Sequence, residues 1–156
     1  MNWMECRDRI EPQSAQWRDA ARKHIHQLTM PRWALGRLLD LAVDLAGMTR
    51  RLDFPVERKR VVLMAGDHGI VAEGVSPQPQ CVTVQMLRNF SRGGGAVRVL
   101  SSVAGAEVVL ADLGVNADVS DIPGVLPYKI AKGTANFRYG PAMSREQAVQ
   151  SLETGI

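Results

Sequence analysis

The feature that most constrains this chain is a short unbroken apolar run, Val61-Val62-Leu63-Met64-Ala65, closed by Gly66. Alternation of apolar and polar residues would mark a strand with one wet face. An unbroken run of this length marks an interior strand of a parallel sheet, covered by helices on both faces. The same signature returns between Glu107 and Leu113, in Val108, Val109 and Leu110. Between the two runs lie segments with helical spacing. Val82, Met86, Leu87 and Phe90 share one face over about residues 80 to 91, and Ala96, Val97, Leu100, Val103 and Ala104 follow, ended by Gly105. Strand, helix, helix, strand is a crossover, expected to be right-handed and to leave its two strands parallel in one sheet. The expected fold class is α/β: an open parallel sheet with flanking helices, Rossmann-like and incomplete, preceded by N-terminal helices.

Upstream of the first run, residues 14 to 27 read as helical. Leu35, Leu38, Leu39, Ala42, Leu45 and Ala46 fall on one stripe of a further helix, with Pro31 in its first turn and Gly47 placed to end it. Downstream, a glycine and proline loop from Gly114 to Gly124 leads to a weaker strand candidate at Tyr128 to Ala131. Ser144 and Gln147 have the spacing of a capping box, opening a last helix through Ala148, Val149 and Leu152. The chain thus divides into an N-terminal helical segment, residues 1–52, and the first part of an α/β domain, residues 53–156. Its third strand and last helix lack a following neighbour, which predicts uncovered apolar surface. Either copies associate across that edge or the sequence is the N-terminal piece of something larger.

Composition narrows the function classes. With 46% hydrophobic and 22% charged residues the chain belongs among globular proteins. Its net charge of +3 is too small a surplus to imply a nucleic-acid partner. Arg50, Arg51, Arg58, Lys59 and Arg60 crowd one connection, but no aromatic platform interleaves them, so a solvated linker is the expectation. Cys6 and Cys81 are far apart and outside any CxxC motif, which predicts neither a zinc site nor a disulfide framework and fits a reducing cytoplasm. The N-terminus has charges at Glu5, Arg7, Asp8 and Arg9 where a secretory signal needs an apolar core, and no apolar stretch suits a membrane span.

In parallel sheets ligands bind at the carboxyl ends of the strands. There the sequence places Gly66, Asp67, His68 and Gly69, then Glu73 and Ser76, after the first run; Asp112 and Gly114 after the second; and Gly133, Thr134 and Asn136 after the third. Each has a purely structural alternative: Asp67 capping a turn, Asp112 satisfying loop N–H groups, His68 packing. Asp67 and His68 side by side also suit a metal-dependent hydrolase, yet further ligands are lacking. Gly93, Gly94 and Gly95 before a helix suit either a phosphate cradle or close helix packing, without the Lys and Ser/Thr of a P-loop.

Taken together, the run Ala65-Gly66-Asp67-His68-Gly69-Ile70-Val71-Ala72-Glu73-Gly74-Val75-Ser76, then Pro79, Val82-Thr83, Gln85-Met86, Asn89-Phe90 and the glycine triplet, strongly resembles the nicotinate-nucleotide:dimethylbenzimidazole phosphoribosyltransferases of cobalamin biosynthesis. Asp112-Leu113-Gly114-Val115, Gly133-Thr134-Ala135-Asn136-Phe137 and Pro141-Ala142-Met143-Ser144 resemble that family's later blocks, in order. The likeness runs from about residue 30 to the end. It implies transfer of phosphoribose from nicotinate mononucleotide to 5,6-dimethylbenzimidazole, giving α-ribazole 5′-phosphate and nicotinate, with no metal or other cofactor. It also implies a cytoplasmic homodimer in the full-length form, with no nucleic-acid or membrane partner.

By matching position, the substrate-binding candidates are Asp67, His68, Ser76, Gln85, Met86, Phe90, Asp112 and Thr134. Met86 and Phe90 would supply apolar wall, and Gln85 and Ser76 polar contacts to the base edge. The family's catalytic glutamate and phosphate-binding glycines are expected beyond Ile156, so this chain would be a partial form, inactive alone. A non-catalytic module that binds an aromatic base is the alternative.

Overall fold

The structure is a computed structural model that describes residues 2–156. The chain forms two compact units, residues 7–57 and residues 58–156 together with residues 2–6. Its helices are α1 (Trp3–Asp8), α2 (Ala15–Gln27), α3 (Arg37–Thr49), α4 (Cys81–Ser91), α5 (Gly95–Val103) and α6 (Arg145–Thr154). Its strands are β1 (Lys59–Gly66), β2 (Ala106–Gly114) and β3 (Val125–Pro127).

The helical unit packs α2 on α3 through Ala21 and Ile25 against Leu39, Val43 and Ala46. Ser14 caps α2, its hydroxyl accepting from the Trp17 N–H at 3.4 Å. The start of α3 differs from the sequence expectation. Pro31 lies ahead of the helix in a turn where Trp33 and Gly36 both have φ of 52°, and Leu35 and Leu38 are exposed. Gly47 does not end the helix either. It is buried within it, where an added Cβ would come within 2.6 Å of Arg18 Cγ, and its carbonyl accepts from the Ser14 N–H at 3.0 Å. In the sequence a missing side chain reads as a terminus, whereas at this position it serves close approach; the helix ends at Arg50, in the left-handed region.

The second unit is the expected α/β arrangement, a parallel sheet in the order β1-β2-β3. Val61 faces Val108, Leu63 faces Leu110 and Ala65 faces Asp112 across the first ladder. Leu87 of α4 seals one face of this sheet with Ala65, Val115, Val119 and Ile122. Two strand expectations change. The unbroken run of β1 sits at the sheet edge, and Val62 and Met64 are exposed on the other face, because an apolar run does not encode strand order. The third strand is Val125–Pro127, paired to Leu110–Asp112, and Tyr128 to Ala131 lies just beyond it. That segment still follows β2, with the Ile130 N–H donating to the Leu113 carbonyl at 3.0 Å.

The helices between β1 and β2 lie where expected but turn differently. On α4, Thr83, Val84, Leu87 and Ser91 face inward: Leu87 is 1% exposed and Met86 is 37% exposed. On α5, Ser101 is buried while Leu100 and Val103 face solvent, reversing the expected apolar face. The turn ahead of α5 sets that rotation. Gly95, at φ 78°, lies where a Cβ would meet the Phe90 ring, and Arg98 Nε donates to the Phe90 carbonyl at 2.7 Å. α6 begins with the expected capping box, Ser144 and Gln147 bonded reciprocally at 3.2 and 2.9 Å.

Candidate functional site

The strand ends converge on Asp67, which follows β1 and is 6% exposed. Its N–H donates to the Gly114 carbonyl at 2.9 Å, and its own carbonyl accepts from the Thr134 N–H at 3.0 Å. Its carboxylate is equally committed: Oδ1 accepts from Thr83 Oγ1 at 2.7 Å and Oδ2 from the Asn116 N–H at 2.8 Å. One side chain thereby ties β1, α4 and the loop after β2, while its backbone ties the loop after β3. Glycine makes the approach possible. A Cβ on Gly69 would lie 2.6 Å from the backbone of Thr134, Ala135 and Asn136, so no side chain fits there. The Gly69 N–H donates to Thr134 Oγ1 at 3.2 Å.

A second anchor holds the loop after β3. Asn136 Nδ2 donates to Glu73 Oε1 at 2.7 Å, and Arg138 Nη1 bonds Glu73 Oε2. The Arg138 guanidinium, then the Asn136 amide, hold the Glu73 carboxyl below its ordinary range. A third anchor is not legible in the sequence. Lys129 Nζ donates to the carbonyls of Val115, at 2.6 Å, and Ala117, and lies 3.0 Å from Asp112 Oδ2. Asp112, almost fully buried, also accepts from the Val115 N–H at 2.9 Å. Nothing in the local sequence marks Lys129, because its three partners come together only when the loop after β2 folds back.

Three cavities share Asp67. One of about 260 Å³ is walled by Met64, Leu113, Ile130 and Met143, edged by Gly66, Gly114 and Gly133, and reached by His68, Thr134, Gln147 and Ser151. Another, about 300 Å³, lies across the Gly66–His68 loop and is lined by Val75, Ser76, Gln80 and Val82. The third, about 430 Å³, is bounded by Gln80, Cys81, Gln85 and Asn116.

The candidates from sequence therefore separate. Asp67, His68 and Thr134 meet at the first cavity, Asp67, His68 and Ser76 at the second, and Asp67 and Gln85 at the third. Met86, Phe90 and Asp112 line none of the three. Phe90 covers Gly95 and the Asn89 side chain encloses Gly94, so these two glycines serve close packing, whereas Gly93, at φ 89°, has open space where a Cβ would stand. His68 is exposed and its carbonyl accepts from Gln80 Nε2 at 3.1 Å. Among the described residues no three His, Cys, Asp or Glu side chains stand together as metal ligands, and both Asp67 oxygens already accept hydrogen bonds. Cys6 and Cys81 are free thiols, and among the described residues no helix is long and apolar enough to cross a membrane.

Known proteins are similar to this chain in sequence and in fold. A family model described as phosphoribosyltransferase matches residues 10–156. The chain is 54% identical over 151 residues to the nicotinate-nucleotide–dimethylbenzimidazole phosphoribosyltransferase of Syntrophotalea carbinolica, covering 95% of this chain and 43% of that protein. It is 46% identical over 149 residues to the protein of that name from Pseudomonas aeruginosa strain UCBPP-PA14, covering 96% and 42%. Among solved structures, the nicotinate-nucleotide-dimethylbenzimidazole phosphoribosyltransferase of Thermus thermophilus superposes with a TM-score of 0.79 at 43% identity, covering 88% of this chain and 42% of that one. The chain thus spans less than half the length of these relatives.

Proposed function

The chain belongs to the nicotinate-nucleotide:dimethylbenzimidazole phosphoribosyltransferase family, and from that premise we propose that its residues form the base-binding side of a site that moves phosphoribose from nicotinate mononucleotide to 5,6-dimethylbenzimidazole. The observation that carries this reading is the pair of cavities on either side of the Gly66–His68 loop, as a reaction between two substrates needs. The flat base lies on the α4 side, in the cavity that Ser76 lines, with Gln85 in the neighbouring cavity that shares Asp67 and Gln80 with it. The glycine-edged cavity, reached by His68 and Thr134, faces the nucleotide. Residues 53–156 act as the first part of the transferase domain and residues 1–52 as a helical segment ahead of it. The reading includes a cytoplasmic homodimer in a chain of the relatives' full length.

In the reaction one benzimidazole nitrogen attacks ribose C1′ while the bond to the nicotinate nitrogen breaks, that electron pair leaving with nicotinate. The proton on the other benzimidazole nitrogen passes to a carboxylate acting as general base. No carboxylate around Asp67 is disposed for that task. Asp67 is doubly bonded, Asp112 is held by Lys129, and Glu73 is held below the range a base at neutral pH needs. These residues bind and orient; proton removal falls to a group outside them.

Two measurements test the reading. Calorimetric titration of the 156-residue chain with 5,6-dimethylbenzimidazole is expected to show saturable binding that Ser76→Trp abolishes, with no α-ribazole phosphate detected by chromatography when nicotinate mononucleotide is added. A chimera continuing the chain with the remaining part of the Thermus thermophilus relative is expected to form that product. Absence of base binding, or a chimera with native circular dichroism and no product, overturns the proposal.

A further inference from the structure

The peptide between His68 and Gly69 stands where the cavities part. His68 lines the first and second of them, Thr134 the first, and Gln80 the second and third. Gly69 opens a short 3-10 helix, Gly69–Glu73. The N–H at such a start has no acceptor within its own helix and must find one elsewhere. Thr134 Oγ1 supplies it at 3.2 Å, from 65 residues along the chain. The carbonyl of the same peptide accepts from the Val71 N–H at 3.1 Å inside the turn and, through its other lone pair, from Gln80 Nε2 at 3.1 Å. One planar unit is thus held at its two ends by side chains that line different cavities.

Gln80 is free for this because it does not cap its own helix. It occupies the N-cap of α4 with right-handed helical angles, φ −59° and ψ −28°, and its side chain makes no bond to the first turn. Chemistry fixes which way its amide points. A carbonyl only accepts, so Nε2 faces His68, and Oε1 is left to accept from Asn116 Nδ2 at 3.3 Å. The other end of the peptide is equally confined. A Cβ on Gly69 would lie 2.6 Å from the backbone of the loop after β3, so that loop already closes on the peptide.

We propose that Gln80 is a positioning residue: with Thr134 it clamps the His68–Gly69 peptide and thereby sets where the His68 side chain stands between the base cavity and the nucleotide cavity. Because the peptide is planar, a tilt at its carbonyl is also a tilt at its N–H. The two bonds therefore support each other across the loop, and loss of either loosens the other. The clamp belongs to this chain alone. Its consequence for catalysis rests on the transferase reading, in which a displaced His68 misaligns base and nucleotide.

Amide hydrogen exchange on the 156-residue chain tests the clamp without substrate. Gln80→Glu keeps the reach and the acceptor for Asn116 but loses the donor to His68, whereas Gln80→Met loses both. Each is expected to speed exchange of the Gly69 N–H about tenfold, the equivalent of one neutral hydrogen bond, and to change that of the Asp67 N–H, bonded to Gly114, less than about twofold. Reciprocally, Thr134→Val is expected to move the Gln80 side-chain amide resonances toward those of a solvent-exposed glutamine. In the chimera with the Thermus thermophilus relative, Gln80→Glu is expected to lower kcat about tenfold and leave both Michaelis constants within about twofold, the pattern of lost positioning and not of a lost substrate contact. Gly69 exchange unchanged in Gln80→Glu, a change in Gln80→Met alone, equal acceleration at Gly69 and Asp67, unmoved Gln80 resonances in Thr134→Val, an unaltered kcat, or a raised Michaelis constant for the base alone would each overturn the proposal. A parent chimera that is inactive while Gly69 exchange behaves as expected overturns the transferase reading and not the clamp.

Discussion

Asp67 shows how one side chain can organise a site without being free to react in it. A buried carboxylate accepting a hydroxyl and an N–H leaves both donors unsatisfied if it is replaced, and hydrogen bonds to a charged group contribute about 1.5–3 kcal/mol each. Asp67→Ala is therefore expected to lower stability by about 3 kcal/mol in urea denaturation, with a value under about 1 kcal/mol contradicting its role. Lys129 acts in the same way on the next loop. Lys129→Met removes the cation from nearly buried Asp112 and from two carbonyls, and is expected to destabilise by about 3 kcal/mol, as breaking a buried pair does. Glu73 carries a pH dependence. Its carboxyl is held below the ordinary 4.5, so its contribution is complete above that pH and is lost as the pH falls through the lower folded value. Carbon-detected titration of Glu73 should show a midpoint below 4.5 that returns toward it in Arg138→Ala; an unchanged midpoint would remove Arg138 as the cause.

The helices illustrate how an element can be correctly located and wrongly oriented. Counting apolar residues on α4 gives a face through Val82, Met86, Leu87 and Phe90, but the face that packs runs through Thr83, Val84, Leu87 and Ser91, with Leu87 common to both. Two of those residues are polar, and their inward role comes from partners distant in sequence, Asp67 and Pro123. Leu87→Ala should then cost about 3 kcal/mol, in the range for a fully buried leucine, and Met86→Ala no more than about 0.5. Comparable losses at the two positions, read from chemical denaturation, would restore the other face. On α5 the same periodicity that locates the helix leaves its rotation open by half a turn. Gly95, Phe90 and Arg98 settle it locally.

At the scale of the whole molecule, the Gly66–His68 loop separates two cavities, and Gln85 belongs to a third. If the base lies on the α4 side, Gln85→Ala in the chimera should raise the Michaelis constant for 5,6-dimethylbenzimidazole about tenfold, the equivalent of one lost polar contact, and leave that for nicotinate mononucleotide unchanged. The reverse pattern in steady-state kinetics would place Gln85 on the nucleotide side. By itself the sequence determined the order of elements, the parallel crossover, the capping box at Ser144 and the gathering of Asp67, His68 and Thr134 at strand ends. These depend on periodicity, capping and chain direction, which are local properties. Tertiary structure alone decided that β1 lies at the edge, that Gly47 sits inside a helix, that Lys129 and Glu73 anchor the loops, and that α5 turns its apolar face outward. Each depends on which surfaces meet across long sequence separations, and a residue's neighbours along the chain do not specify its neighbours in space.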